Sequence, residues 1–432
     1  MEAPIPYTPN FYRGEGVIFG GYHDAYKAEF ADVRDRPKHR GVVIKFFDNT
    51  RTLRYRLTTN CACSPIGGLE FELSFRGCAS FALDLLYRPK RMDPLCLEHG
   101  SWLEIYLWGA KKPIYTGIIN RKPGAGSTER TIKIRGVGFV DFVRRVITHD
   151  ASDRVVFRLQ DTSVWSGVAA FASVLQEVSF VRHNPSKLEN DPTLYGYSSR
   201  SVNDVIYIAS KYNEALDELA KLEGGWIWGV DAERDLFFRP PAPCTTPDRR
   251  IYQGKDFQHW KPVEDSSKIL NYALIQHGGT VQNLTGGSAE RKGTNILPSF
   301  LKDDTSIAQY GSHAEVIQPP SVGSDVDAYR YAAIEIDRRK TPKIRGRAAK
   351  VQYRGEDFVP GECYEIVLKN ADPVLIPLVR ARYKLESGGR IMCDLNFGDE
   401  SEDLIEWAKE LEVNEALRTS SDRTRRYLEA FE

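Results

Sequence analysis

The chain has 432 residues with 59 Lys or Arg and 59 Asp or Glu, so its formal net charge is zero, which argues against a dedicated nucleic-acid binder with a basic stripe. At 41% hydrophobic and 27% charged residues it has ample material for a core, and its length suits roughly two to four domains. No run approaches the roughly 20 apolar residues of a membrane span, and Met1-Glu-Ala-Pro-Ile-Pro lacks the basic and apolar stretches of a secretory signal, which points to folding in a cytoplasm.

Residues 1–40 read as an N-terminal arm. Pro4, Pro6, Pro9 and Pro37 interrupt regular structure, and Phe11, Tyr12, Tyr22 and Tyr26 lie among glycines. An arm so aromatic is expected to pack on its own domain or on a neighbouring subunit. Residues 41–150 read as all β. The run 41–47 is apolar and ends at Asp48-Asn49. In 69–75 Leu69, Phe71, Leu73 and Phe75 alternate with polar residues, and 102–108, 114–119 and 131–136 are further strands between turn signals. Short strands so spaced suit a barrel or sandwich, closed by a short helix over 139–147.

Residues 151–254 read as an α/β insert. A helix is expected over 164–175, although Gly167 weakens it, and 201–212 is ambiguous between helix and strand. The helix that follows is better marked. Asn213 is a plausible N-cap, Leu216, Leu219, Ala220 and Leu222 share one face, and Gly224-Gly225 stops the run. A hairpin should follow, with Trp226, Trp228 and Val230 in its first strand, a polar turn over 231–235, and 236–238 as its second strand. Residues 255–397 return to β structure, with strands at 268–276, 344–353, 363–368, 378–385 and 391–397. A helix over 325–339 carries the stripe Val326, Tyr329, Ala332, Ala333 and Ile336. Residues 398–432 form a C-terminal segment whose helix, 400–417, has Leu404, Ile405, Ala408, Leu411 and Leu417 on one face and acids at its N-terminal end. This pattern suits docking on a neighbour.

Catalytic chemistry is not marked. There is no Gly-x-Ser-x-Gly elbow, His-Glu-x-x-His or phosphate-binding glycine loop, so neither catalytic, cofactor-binding nor metal-binding residues are expected. His277, before Gly278-Gly279, reads as a turn histidine, and Asp303-Asp304 as solvated or capping acids. Glu70 and Glu72 read as an outward strand face. Arg338-Arg339-Lys340 and 423–426 read as solvated helix ends or subunit contacts. The seven cysteines, Cys61, Cys63, Cys78, Cys96, Cys244, Cys363 and Cys393, are an odd and scattered set, expected to be reduced. Cys61 and Cys63, with Cys78, Cys96 or His99, do not have zinc spacing.

Taken in order, several segments resemble phage tail hub and baseplate hub proteins. These are the strand 69–75, Gly100-Ser-Trp-Leu-Glu-Ile-Tyr, Ile114-Tyr-Thr-Gly-Ile-Ile, the tryptophan-rich helix–hairpin, Leu270-Asn-Tyr-Ala-Leu-Ile-Gln-His-Gly-Gly, Asp304-Thr-Ser-Ile-Ala-Gln-Tyr-Gly, and Val359-Pro-Gly. The resemblance covers about residues 65–397 and implies an α+β, mainly β fold. Two tail-tube-like β-barrels, 41–150 and 255–397, would flank the insert and resemble each other in outline. It also implies a structural, non-enzymatic virion protein without cofactors, located at the tail tip. This would be a homotrimer whose six barrels close a sixfold tube and adapt it to threefold fibre or spike proteins, beside a tail tube or distal tail protein and the tape measure protein. DNA would pass through its lumen. On that reading Trp226 and Trp228 belong to the insert core, and the exposed faces of strands 69–75 and 114–119 are candidate ring contacts. Two alternatives stay open: the hub or spike base of a contractile injection system, and a secreted carbohydrate-active enzyme with β accessory domains.

Overall fold

A computed structural model describes residues 41–398, apart from 60–63, 87–91, 123–130, 147–155, 189–200, 278–294, 297–300 and stretches of one to three residues elsewhere. The expected N-terminal arm, the C-terminal docking helix, Cys61, Cys63 and the basic run 423–426 lie outside the described residues.

The first β region contains β1 (Val42–Phe47), β2 (Leu53–Thr58), β3 (Ile66–Ser74), β4 (Gly77–Leu85), β5 (Trp102–Leu107), β6 (Tyr115–Arg121) and β7 (Ile132–Gly138), followed by the short helix α1 (Val140–Arg145). Alternation explains most of these strands: Leu69, Phe71 and Leu73 of β3 and Phe81, Leu83 and Leu85 of β4 are all buried. The insert contains β8 (Val156–Ser163), α2 (Val164–Val178), β9 (Ser201–Ile208), α3 (Tyr212–Glu223), β10 (Ile227–Val230) and β11 (Leu236–Arg239). Helix α3 starts earlier than Asn213 predicts, because Lys211 holds the N-cap position and its backbone N–H donates to the Glu214 carboxylate. Its buried face is the expected one, Leu216, Leu219, Ala220 and Leu222, and Gly224 ends it in the left-handed conformation (φ 116°).

The rest of the chain supplies β12 (Arg249–Tyr252), β13 (Trp260–Asp265), β14 (Tyr272–His277), β15 (Asn295–Ile296), β16 (Leu301–Lys302), α4 (Asp304–Tyr310), β17 (Ala314–Ile317), α5 (Asp325–Arg339), β18 (Lys343–Gln352), β19 (Cys363–Val367), β20 (Val374–Leu385) and β21 (Ile391–Phe397). On α5 the buried stripe runs through Ala328, Ala332 and Ile336, while Val326, expected within it, is 59% exposed. The fold is α+β and mainly β.

The main sheet follows the order β13-β18-β21-β20-β3-β4-β7-β6-β5-β1-β2 and runs open from β13 to β2 among the described residues. The two β regions are therefore hydrogen-bonded to each other. They meet where β20 pairs antiparallel with β3, from Arg380↔Ser74 to Leu385↔Leu69. One core lies under this sheet and draws on both regions, including Ile44, Phe71, Leu83, Tyr115, Tyr364, Tyr383 and Leu395. At the junction Phe71 stacks on Tyr383, with ring centroids 4.8 Å apart. A second core unites Val168, Phe171, Leu216, Leu219, Trp228 and Phe238 of the insert with Ile275 of β14 and Ala332 and Ile336 of α5. Strand β14 and helix α5, which the sequence places in the second β region, thus pack with the insert helices. Lys221 of α3 ties them together, donating to the Tyr331 hydroxyl at 2.8 Å and pairing with Glu335 at 2.9 Å.

Candidate functional site: the junctions and free edges

The insert is anchored to the first β region at the β3–β4 turn. The Arg76 carbonyl accepts the Val230 N–H at 2.9 Å, and β4 pairs in parallel with β10 at Gly77↔Val230. Glycine is required on both sides of this contact. A Cβ on Gly77 (φ 103°) would sit 1.8 Å from the Val230 carbonyl oxygen, and one on Gly229 would sit 2.2 Å from that of Arg76. The Arg76 side chain then lies 4.4 Å over the Trp228 ring and pairs with Asp217 at 2.6 Å. Asp217 also accepts the Trp228 indole N–H at 2.8 Å. Trp228 is fully buried, as expected of the insert core, whereas Trp226 is only partly buried and packs on Phe238.

The outward reading of Glu70 and Glu72 needs correction at Glu72, which is only 2% exposed. Strand alternation points it away from the core under β3. However, β20 lays Arg380 and Arg382 over it, at 2.9 and 3.3 Å, and Arg382 also reaches Glu70 at 3.4 Å. The pairing is an ion-pair clasp across the β3–β20 junction. The candidate ring face on 114–119 is corrected too, because its residues from Tyr115 to Ile119 leave no exposed surface. Both edges of β3 and of β6 are occupied by neighbouring strands, and Tyr115 through Ile119 are all buried. Among the described residues the edges left unpaired in the main path belong to β2 and β13. Strand β13 is the more exposed, with Pro262, Val263 and Glu264 all open to solvent. A proline on such an edge removes a donor and blunts uncontrolled strand addition.

The remaining candidate groups are structural. His277 is buried as the last residue of β14, and its Nε2 lies 2.8 Å from Asp325 in the first turn of α5, so it is a strand–helix tie and not a turn residue. Asp303 caps α4, accepting the Ser306 N–H at 2.9 Å, and that bond holds its carboxyl below the usual carboxylate range. Asp304 pairs with Lys302. Buried Asn271 ties the segment 270–277 to the segment 304–311 and the residues just after it. Its amide nitrogen donates to Ser306 Oγ at 3.1 Å and the Gly311 carbonyl at 2.7 Å, and its oxygen accepts the His313 N–H at 2.7 Å. The basic end of α5 is paired, Arg339 with Glu315 and Lys340 with Asp337.

Among the described residues one group of three metal-capable side chains converges, Asp231, Glu233 and Asp235 in the β10–β11 turn. Its carboxylates are already used within the protein: Asp231 accepts the N–H groups of residues 233 and 235, Glu233 pairs with Lys112, and Asp235 pairs with Arg182 at 2.7 Å. Cys78, Cys96 and His99 do not converge, and burial pushes the Cys78 thiol up to about 12. The expectation of uniformly reduced cysteines fails, because Cys244 and Cys363 form a disulfide with Cα atoms 5.2 Å apart. The reason is topological. β12 lies parallel to β19, so the loop before β12 meets the first residue of β19, and Asp248 clamps it by accepting the Cys363 N–H at 2.8 Å.

A mainly β chain whose two β regions share one sheet beside a helix–hairpin insert has the fold of phage tail proteins. The structure is similar to the tail protein from Neisseria meningitidis MC58, with a TM-score of 0.57 and 12% identity over 83% of this chain and 97% of that one. It is also similar to the 43 kDa tail protein of prophage MuSo2 from Shewanella oneidensis (TM-score 0.54, 11% identity, 83% and 98% covered). A third similar structure is prophage tail protein gp18 from Listeria monocytogenes EGD-e (TM-score 0.52, 9% identity, 86% and 98% covered). At these identities the likeness is one of fold. No family model matches the sequence, and no curated protein matches it.

Proposed function

We propose that the chain is a structural protein of a phage or phage-derived tail, the trimeric hub that closes the distal end of the tail tube. The observation that carries the reading is the β3–β20 junction. It joins two β regions of one chain edge to edge, so each copy brings two sheet segments to an assembly and three copies bring six. Three subunits then meet the symmetry of a sixfold tube on one side and of threefold fibres or a spike on the other, and a heterologous interface that closes is the natural way to build such a ring. The fold likeness extends over nearly the whole length of the tail proteins it matches, which supports assignment of the whole chain to this role. The work is mechanical: closing the tube, docking the distal component and lining a channel for DNA. Neighbours on this reading are the tube or distal tail protein, the tape measure protein and the fibre or spike.

Light scattering on the purified chain, alone and with its tube partner, tests the stoichiometry. Three copies of the 48.9 kDa chain give about 147 kDa. Imaging of the particle should place the chain at the tail tip, and a twofold dimer in the assembled particle would overturn the proposal.

A further inference from the structure

Two stretches of opposite charge are joined at one corner of the main sheet. Residues 338–350, the end of α5 and most of β18, hold seven Lys or Arg and no acid. Residues 399–415, beyond the last described residue, hold eight Asp or Glu and one Lys. Strand β21 runs antiparallel to β18, with Phe397 opposite Gly346, so it delivers the chain to the start of β18. Gly398 lies against that start: a Cβ there would stand 2.9 Å from the Ile344 carbonyl oxygen and 3.2 Å from Arg345 Cγ. Lys343 is the first residue of β18, and Lys340 ends α5 three residues earlier.

The same corner leaves apolar surface open. Phe397 is buried, and Trp260 packs on it at 5.7 Å. Pro262 lies opposite Gly346 on β13, so Pro262 and Ile344 continue the side of the sheet that carries Phe397. There the cover ends among the described residues, with Pro262 exposed and Ile344 50% exposed. The basic run also keeps positive charge. Five acids answer its seven bases: Asp303 and Asp337 at Lys340, Glu315 at Arg339, Asp394 at Arg347, and Asp265 near Arg345. Lys340 and Arg347 remain reachable, their side chains 36% and 58% exposed.

We infer that residues 399–415 dock on this corner of their own subunit. The apolar stripe of Leu404, Ile405, Ala408 and Leu411 covers Pro262 and Ile344, and the acids face Lys340 and its basic neighbours. The own chain is favoured over a second copy by the place where the segment starts. Leu404 follows Gly398 by six residues, at most about 20 Å of extended chain, and so short a tether holds the segment near the corner at an effective concentration in roughly the millimolar range. Docking would close the core at the open β13 end of the sheet. It does not depend on the tail reading.

Photo-crosslinking in the full-length chain tests it. With p-benzoylphenylalanine in place of Leu404, irradiation should attach the segment to the stretches 260–264 and 343–347, mapped by mass spectrometry. In a mixture of isotope-labelled and unlabelled chains, the linked peptides should share one isotope. Ile344→Ser should lower the yield about fivefold, and Lys340→Glu should lower it as well. Both positions are partly open to solvent, so these variants keep the fold. Leu86→Ser, at an exposed apolar position at the far end of the sheet, should leave the yield unchanged. The inference is overturned if the segment attaches elsewhere or not at all, if linked peptides mix isotopes and so report docking on a second copy, or if either Ile344→Ser or Lys340→Glu crosslinks as the parent does.

Discussion

Replacing Gly77 by alanine should loosen the insert from the first β region, and the structure sets the size of the effect. The new Cβ would stand 1.8 Å from the Val230 carbonyl oxygen and 2.7 Å from its carbon, where ordinary contact begins at 3.4 Å, and both neighbours are backbone. The residue also sits at φ 103°, where a side chain costs about 1–3 kcal/mol. Separating the backbones breaks the Val230–Arg76 hydrogen bond, about 1 kcal/mol, and overpacking adds about 1–3 kcal/mol. The total is about 3–7 kcal/mol, a large part of the roughly 5–15 kcal/mol that holds a typical domain together. Gly100 supplies the control. It has φ 86° and nothing within 4 Å of its Cβ position, so Gly100→Ala carries backbone strain alone. Urea unfolding followed by tryptophan fluorescence should show the first transition falling much further for Gly77→Ala than for Gly100→Ala. Equal shifts would refute the contact argument.

Glu72→Gln should destabilise by about 3 kcal/mol, since it strips the anion from largely buried Arg380 while half-exposed Arg382 loses less; a cycle with Arg380→Met should recover much of that loss, and purely additive effects would count against the clasp. Asp48 is buried, which opposes its ionisation, but hydrogen bonds from Thr50, Thr52 and Arg54 and the Arg54 charge outweigh this and lower its pKa to about 2. Its stabilising contribution is therefore complete above about pH 4 and lost as pH falls toward 2, so the difference in unfolding temperature between the parent and Asp48→Asn should close over that window. The Cys244–Cys363 bond spans 119 residues and contributes about 5 kcal/mol on the chain-entropy account; non-reducing peptide mapping should recover the linked pair, and dithiothreitol should lower the unfolding temperature.

The parts of the fold that were legible in the sequence are those fixed by local periodicity. The alternation of Leu69, Phe71 and Leu73, that of Ile391, Cys393, Leu395 and Phe397, and the 216–219–220–222 stripe stopped by Gly224 all take their expected forms. Strand β4 escapes such a reading because it opens on Gly77-Cys-Ala-Ser. Everything decided by distant partners was illegible. Alternation places Glu72 outward, and only the arrival of β20 buries it. The disulfide depends on β12 lying beside β19, and α5 shows its stripe without showing that α3 receives it.

The β3–β20 junction also sets a schedule for synthesis. Glu72 and Arg382 are 310 residues apart, so at roughly 5–20 residues per second the ribosome delivers β20 about 15–60 s after β3. Throughout that interval β3 has a neighbour on one side only, and its other edge is an open template for strands of other nascent chains. Glu70 and Glu72, two acids on that waiting edge, repel a second copy of the same strand, and the arginines of β20 arrive with the opposite charge. The buried clasp of the finished protein thus serves first as a guard on the unfinished one.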